Sequence, residues 1–202
     1  MIIFEYLDWL PKIPDEFLKY PAEKTKEGLI SFGSTYTNEH GYSRGIRGII
    51  KPGTGAQYIR WKLRPEFKQW IEENIVDSYD PGASGLQALK PNNDPAGHFA
   101  THTDSRKWVL NYIFETGGDD VWTSFYTYKS QLLQTPDTVQ PTGLTKIYTT
   151  KVGTHRWCLL NAHVYHDVIG ITHTRHAISL GLPKGVIDPY TVIHRYKDHF
   201  SI

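Results

Sequence analysis

The second half of the chain is divided by turn signals into short β-prone runs of nearly even length. After residue 80, eight such runs are separated by glycine, proline and polar residues. Short strands at this spacing are typical of a β-sandwich or barrel, and eight is the number of strands in a jelly roll. The sequence therefore predicts a mainly β fold. The predicted strands are 85–89, 98–104, 108–115, 121–128, 145–151, 156–160, 163–168 and 175–182.

The first 80 residues predict an extension of this core. A strand and a short helix opened by Pro14 are expected first, followed by β-rich pieces over 29–36, 44–50 and 56–63. A longer helix over 64–75 begins at Pro65 and carries its apolar residues on one side.

The whole chain of 202 residues is predicted to form one domain, since no linker, repeat or low-complexity segment interrupts it. The extension covers 1–80, the core 81–183 and the C-terminal tail 184–202. A longer loop over 131–142, with two prolines, is a candidate lid.

Composition argues against several classes of partner. The 22 Lys and Arg nearly balance the 21 Asp and Glu, so no global field attracts nucleic acid or a membrane surface. Cys158 is the only cysteine, which excludes an internal disulfide and favours a reducing setting. The N-terminus does not resemble a signal peptide, and no apolar run approaches the ~20 residues of a membrane span. We expect a cytoplasmic protein.

One short motif carries recognisable metal chemistry. In a strand, His102 and Asp104 point the same way, because alternate side chains share a face. With His166 they could supply two imidazoles and one carboxylate, the triad that suits non-haem Fe(II) in oxygenases and leaves other positions open. Arg175 follows nine residues after His166 and begins a strand with small residues on its own face. Its planar guanidinium suits the carboxylate of an acidic cosubstrate.

The second histidine ligand has local competitors. Four histidines crowd this part of the chain, namely His163, His166, His173 and His176. In an extended strand, His163 would face the opposite side from His166 and serve a packing or supporting role.

The order His102-Thr103-Asp104, His166 and Arg175 resembles the Fe(II)/2-oxoglutarate-dependent oxygenase superfamily, with spacings most similar to its small prolyl-hydroxylase-like members. The resemblance covers about residues 80–183. It implies a double-stranded β-helix, a jelly-roll and cupin-like core, with a few flanking helices. It also implies Fe(II) held by the triad, 2-oxoglutarate anchored by Arg175, and O2 as co-reactant. The implied reaction hydroxylates an unactivated C–H bond and releases succinate and CO2.

The cosubstrate contacts depart from the family pattern at one position. Many members carry a hydroxyl two residues after the arginine, where this chain has Ala177. Ser179 or Tyr112 could replace it. His98 and Arg106 are candidates for the substrate side. By analogy with the family, the expected substrate is an amino-acid side chain in a protein or peptide, with a small metabolite as the alternative and nucleic acid disfavoured.

Two other functions fit the same residues. One is a cupin-type metalloenzyme that does not use 2-oxoglutarate, which the absence of a His-x-His pair on a strand disfavours. The other is a non-catalytic β-barrel module that binds a metal or ligand. Arg175 discriminates among them, because only an enzyme that uses 2-oxoglutarate requires it.

Overall fold

The structure, a computed structural model, is mainly β, with two main antiparallel sheets and few helices. This confirms the predicted mainly β class. The candidate lid over 131–142 and His98 lie outside the residues that the structure describes. Those residues are 2–18, 29–30, 36–37, 43–45, 48–50, 57–90, 99–104, 106–128 and 144–194.

The N-terminal part contains short strands and two helices, as predicted. The longer helix, α2, has Pro65 in its first turn and packs the apolar side chains of Phe67 and Ile71 inward. No helix in the described ranges is long and apolar enough to span a membrane. The elements are β1 Phe4–Tyr6, α1 Asp15–Leu18, β2 Leu29–Ile30, β3 Tyr36–Thr37, β4 Ser43–Gly45, β5 Gly48–Ile50, β6 Gln57–Trp61 and α2 Pro65–Asn74.

The eight strands predicted after residue 80 are all present, with shifts of a few residues at most ends. The largest difference is the first strand, which begins five residues earlier than predicted. The strands are β7 Asp80–Lys90, β8 Phe99–His102, β9 Trp108–Glu115, β10 Trp122–Tyr128, β11 Leu144–Lys151, β12 Arg156–Asn161, β13 Tyr165–Ile169 and β14 Arg175–Gly181; a 3-10 helix follows at Pro189–Thr191.

These eight strands are divided equally between the two main sheets. The larger sheet has the order β1-β12-β9-β14-β7-β6-β2, and the smaller one has the order β11-β10-β13-β8. A third sheet of three strands has the order β3-β4-β5. The N-terminal extension thus adds β1 to one edge of the large sheet and β6 and β2 to the other.

The two faces of the large sheet have different neighbours. One face carries Leu110, Trp157 and Ile178, which form a buried cluster with α2. The opposite face looks toward the small sheet, because Val109 of β9 clusters with Phe125 of β10. The space between the two sheets is therefore lined by alternate residues of β9, β12 and β14.

Candidate metal centre

Three predicted metal ligands come together at the end of β8. One nitrogen or oxygen from each of His102, Asp104 and His166 can be chosen so that all lie within 4.8 Å of one another. The two histidines are direct cross-strand partners on β8 and β13, with ring centroids 4.4 Å apart. Ligand atoms that lie at right angles to one another, each about 2.1 Å from one ion, are about 3 Å apart, so side-chain movements of about 1–2 Å would let this group hold a metal ion.

His166 is held in a tautomer that leaves one ring nitrogen free to bind a metal ion. Its Nδ1 lies 2.9 Å from the carbonyl oxygen of Val164, and a carbonyl can only accept, so Nδ1 carries the proton. The other ring nitrogen, Nε2, then keeps its lone pair for a metal ion. The side chain is buried, and burial lowers the pKa of His166 to about 4, with the neighbouring His102 adding to the effect. The imidazole is accordingly neutral near pH 7.

Asp104 lies two residues beyond the end of β8, whereas the sequence predicted it inside the strand. Its backbone N–H donates to the carbonyl of Ala162 at 2.8 Å, which fixes the chain after β8 against the turn between β12 and β13. Burial alone would raise the pKa of the Asp104 carboxyl. The positive charge of Arg106, with smaller electrostatic contributions from His102 and His166 at low pH, outweighs that effect and holds the pKa of Asp104 below its usual range. Asp104 is therefore an anion near pH 7.

Arg175 lies at the start of β14 and faces the space between the sheets. Its cross-strand partner is Leu89 of β7. Leu89 clusters with Val168 of β13 and with Val121, which directly precedes β10, and both of these strands belong to the small sheet. Its Nη1 is enclosed and has no hydrogen-bond partner among the described residues. Burial lowers the pKa of Arg175 to about 10, so the guanidinium is still charged near pH 7. A buried cationic donor without an acceptor is the expected feature of an anion site.

The two predicted substitutes for the missing hydroxyl lie on opposite faces of the large sheet. Ser179 is buried and has the strand parity of Arg175, so it faces the small sheet. Tyr112 is the cross-strand partner of Ile178 and packs against Trp157 in the cluster under α2. The structure therefore brings Ser179, and not Tyr112, to the face that carries Arg175.

Arg106, predicted on the substrate side, contacts the candidate metal centre directly. Its Nη2 donates to Oδ2 of Asp104 at 2.9 Å. Its Nη1 donates to the carbonyl oxygen of Ala83 on β7. Both terminal nitrogens of the Arg106 guanidinium thus donate to acceptors within the protein, namely the Asp104 carboxylate and the Ala83 carbonyl.

The competing histidines do not join the triad. His163 is exposed in the turn before β13, although the sequence predicted it within that strand. His173 is exposed in the β13–β14 loop and lies 3.1 Å from the hydroxyl of Thr172. His176 pairs with Glu115 and stacks on Phe114.

Sequence reasoning missed Asn111. Asn111 lies on β9 between Ser179 of β14 and Cys158 of β12, and its side-chain Oδ1 is buried without a hydrogen-bond partner in the described part of the chain. Its strand parity matches that of Val109, which places it on the face toward the small sheet. A single amide in the otherwise apolar run of β9 was the available signal. Asn111 adds a second polar group without a partner to the face that carries Arg175.

Comparison of the chain with protein-family models found no match, and comparison with curated proteins found none either.

Proposed function

We propose that this protein is an Fe(II)- and 2-oxoglutarate-dependent dioxygenase with a double-stranded β-helix core. The arrangement of strands supports this fold. Strands β7 to β14 contribute four members to each main sheet, in the orders β12-β9-β14-β7 and β11-β10-β13-β8. A jelly roll is likewise built from eight antiparallel strands divided between two sheets.

The observation that carries the functional proposal is the enclosed Nη1 of Arg175, which faces the same inter-sheet space as His166. A buried cation with one unsatisfied donor reduces the stability of the fold unless an anion binds there. A metal-binding module without an acidic cosubstrate has no use for it. A metal triad and a buried guanidinium together match a ligand that chelates a metal at one end and carries a carboxylate at the other.

The protein residues have separable roles in this proposal. His102, Asp104 and His166 would hold Fe(II) and leave the remaining positions open. Arg175 would pair with the distal carboxylate of 2-oxoglutarate, and the Ser179 hydroxyl would contact the same end. When bound, iron with 2-oxoglutarate and O2 supplies the oxidative chemistry that releases succinate and CO2 and hydroxylates an unactivated C–H bond.

Apolar residues would keep water away from this chemistry. Phe125 is fully buried, and its ring lies 6.0 Å from that of His166. Leu89, the cross-strand partner of Arg175, clusters with Val168 of the small sheet. Low polarity around the cosubstrate strengthens its pairing with the guanidinium. The substrate we propose, from the resemblance in sequence, is an amino-acid side chain in a protein or peptide.

The test is an anaerobic titration of the apo-protein with Fe(II) and then 2-oxoglutarate. A visible charge-transfer band is expected when the keto acid chelates protein-bound iron. The His166→Ala variant should lose the band, because one of the three protein ligands is absent. The Arg175→Leu variant should keep the band but require about 10- to 100-fold more 2-oxoglutarate, since a charged hydrogen bond contributes about 1.5–3 kcal/mol.

Two control variants accompany this titration. Arg156→Leu removes an exposed arginine of the same sheet that pairs with Asp8, and His173→Ala removes an exposed histidine of the loop between β13 and β14. Both should titrate like the wild type. Iron binding without a band would favour the cupin-type enzyme, and no iron binding would favour the non-catalytic module. Unchanged affinity in Arg175→Leu would refute the role of Arg175.

A further inference from the structure

We propose that Arg106 is a positioning residue that restricts Asp104 to binding a metal ion through one oxygen only. The inference rests on the proposed metal centre and goes further, because it explains how a flexible carboxylate would leave coordination positions open for a chelating cosubstrate.

The two oxygens of Asp104 have different neighbours. Oδ1 lies 3.8 Å from Nε2 of His102 and so faces the other ligands. Oδ2 accepts a hydrogen bond from Nη2 of Arg106 at 2.9 Å. Both side chains are largely enclosed, with 17% and 13% of their surfaces exposed, so water weakens this ion pair less than it would at the surface.

Arg106 is itself held in place by the large sheet. Its Nη1 donates to the carbonyl oxygen of Ala83 on β7, so one guanidinium connects β7 to the segment after β8. The side chain crosses β14 at Gly181, where an added β-carbon would lie 2.5 Å from Cδ of Arg106. That is closer than real β-carbons approach other atoms. Glycine at this position leaves the space through which Arg106 reaches Asp104.

This geometry determines how many ligand positions the protein occupies. A free carboxylate can bind a metal ion through one oxygen or both. Because Arg106 occupies Oδ2, only Oδ1 is available, and the triad fills three positions of an octahedral ion. Without Arg106, both oxygens would bind and four positions would be filled. A keto acid chelate and O2 together require three open positions, which only the first arrangement provides.

The experiment counts water molecules on Mn(II) bound to the protein, from the broadening of its EPR lines in 17O-enriched water. Mn(II) prefers octahedral oxygen and nitrogen ligands, so the wild type should retain about three waters. Arg106→Met should retain about two, since the second oxygen of Asp104 replaces one. Arg106→Lys should restore the wild-type number, because an ammonium can still occupy Oδ2. Lys107→Met removes an exposed neighbouring cation that lies over the Trp108 ring, and it should match the wild type.

Gly181→Ala provides a second variant that keeps the cation but obstructs its path, and it should behave like Arg106→Met. Circular dichroism checks that each variant is folded. An unchanged count of three waters in folded Arg106→Met would overturn the role of Arg106, and an unchanged count in folded Gly181→Ala would overturn the requirement for glycine at position 181. A wild type that binds Mn(II) with three waters but not 2-oxoglutarate would refute the proposed function while leaving the role of Arg106 supported. A wild type that binds no Mn(II) would refute both.

Discussion

At the scale of single residues, Arg175 shows a conflict between stability and function. Its guanidinium nitrogen Nη1 is enclosed without an acceptor among the described residues, and burial lowers the pKa of Arg175 to about 10. Such a group is unfavourable in the free protein. A site that binds an anion nonetheless requires such an unsatisfied donor, because the bound anion supplies the missing acceptor. Arg175 should therefore destabilise the protein when no anion is bound.

Replacing Arg175 by leucine should make the ligand-free protein more stable, by about 1–3 kcal/mol, because the unsatisfied charged donor is removed from the interior. Urea unfolding measures the difference in free energy. Arg156→Leu is the matched control, since it removes an exposed pair with Asp8, and it should change stability by less than about 1 kcal/mol. A loss of stability in Arg175→Leu would show that the guanidinium has a strong partner inside the protein.

At the scale of elements, the loop between β13 and β14 sets where Arg175 begins its strand. The backbone N–H groups of Thr172 and His173 both donate to the carbonyl of Gly117, each at 2.8 Å. Gly170 precedes them with a φ of +84°, a conformation that favours glycine. These hydrogen bonds connect the loop after β9 to the loop after β13, and this connection determines where β14 begins.

Gly170→Ala should destabilise the protein by several kcal/mol and lower its melting temperature. A β-carbon at this position would collide with the carbonyl oxygen of Asp120, in addition to the strain of a positive φ. Gly185→Ala is a matched control, because Gly185 also has a positive φ of +93° but has nothing within 4 Å of the added carbon. The Gly185→Ala variant should lose only about 1–2 kcal/mol of folding free energy, which is the cost of a positive φ for alanine. Equal losses in the two variants would argue against a tight contact at Gly170.

At the scale of the whole molecule, the candidate metal centre joins parts of the fold that are distant in sequence. His102 and Asp104 come from β8 and the segment after it, His166 comes from β13, and Arg106 connects this group to β7 of the large sheet. An ion bound by all three ligands would stabilise the folded state, because the unfolded chain does not hold the ligands together.

Mn(II) alone should therefore raise the melting temperature of the apo-protein. At 100 times the dissociation constant, binding contributes about 2.7 kcal/mol, which corresponds to about 5–10 °C for a chain of this size. Differential scanning calorimetry measures the shift, and EDTA should reverse it. His166→Ala should show no shift, whereas His173→Ala should respond like the wild type. Equal shifts in wild type and His166→Ala would place the bound metal elsewhere.

The sequence by itself determined the features that depend on neighbouring residues. Turn signals and β-prone runs placed the eight strands, including β9 with the same bounds as observed. The spacing of His102 and Asp104 predicted two candidate metal ligands, and the structure brings the two side chains together, although Asp104 lies beyond the end of β8. Proline and apolar periodicity located α2 to within one residue at each end. These signals act over a few residues, so they can be recognised without the fold.

Only the tertiary structure decided which distant side chains meet. Cross-strand pairing of β8 with β13 places His166 opposite His102, and it leaves the other nearby histidines outside the triad. Pairing of β14 with β9 places Tyr112 beside Ile178, on the face of the large sheet opposite to Arg175. The pairing of these two strands changes register between His176 and Ala177. Strand periodicity predicts which residues share a face but not which strands pair or in what register. That choice is made by long-range packing, which also brings Arg106 to the carbonyl oxygen of Ala83 on β7.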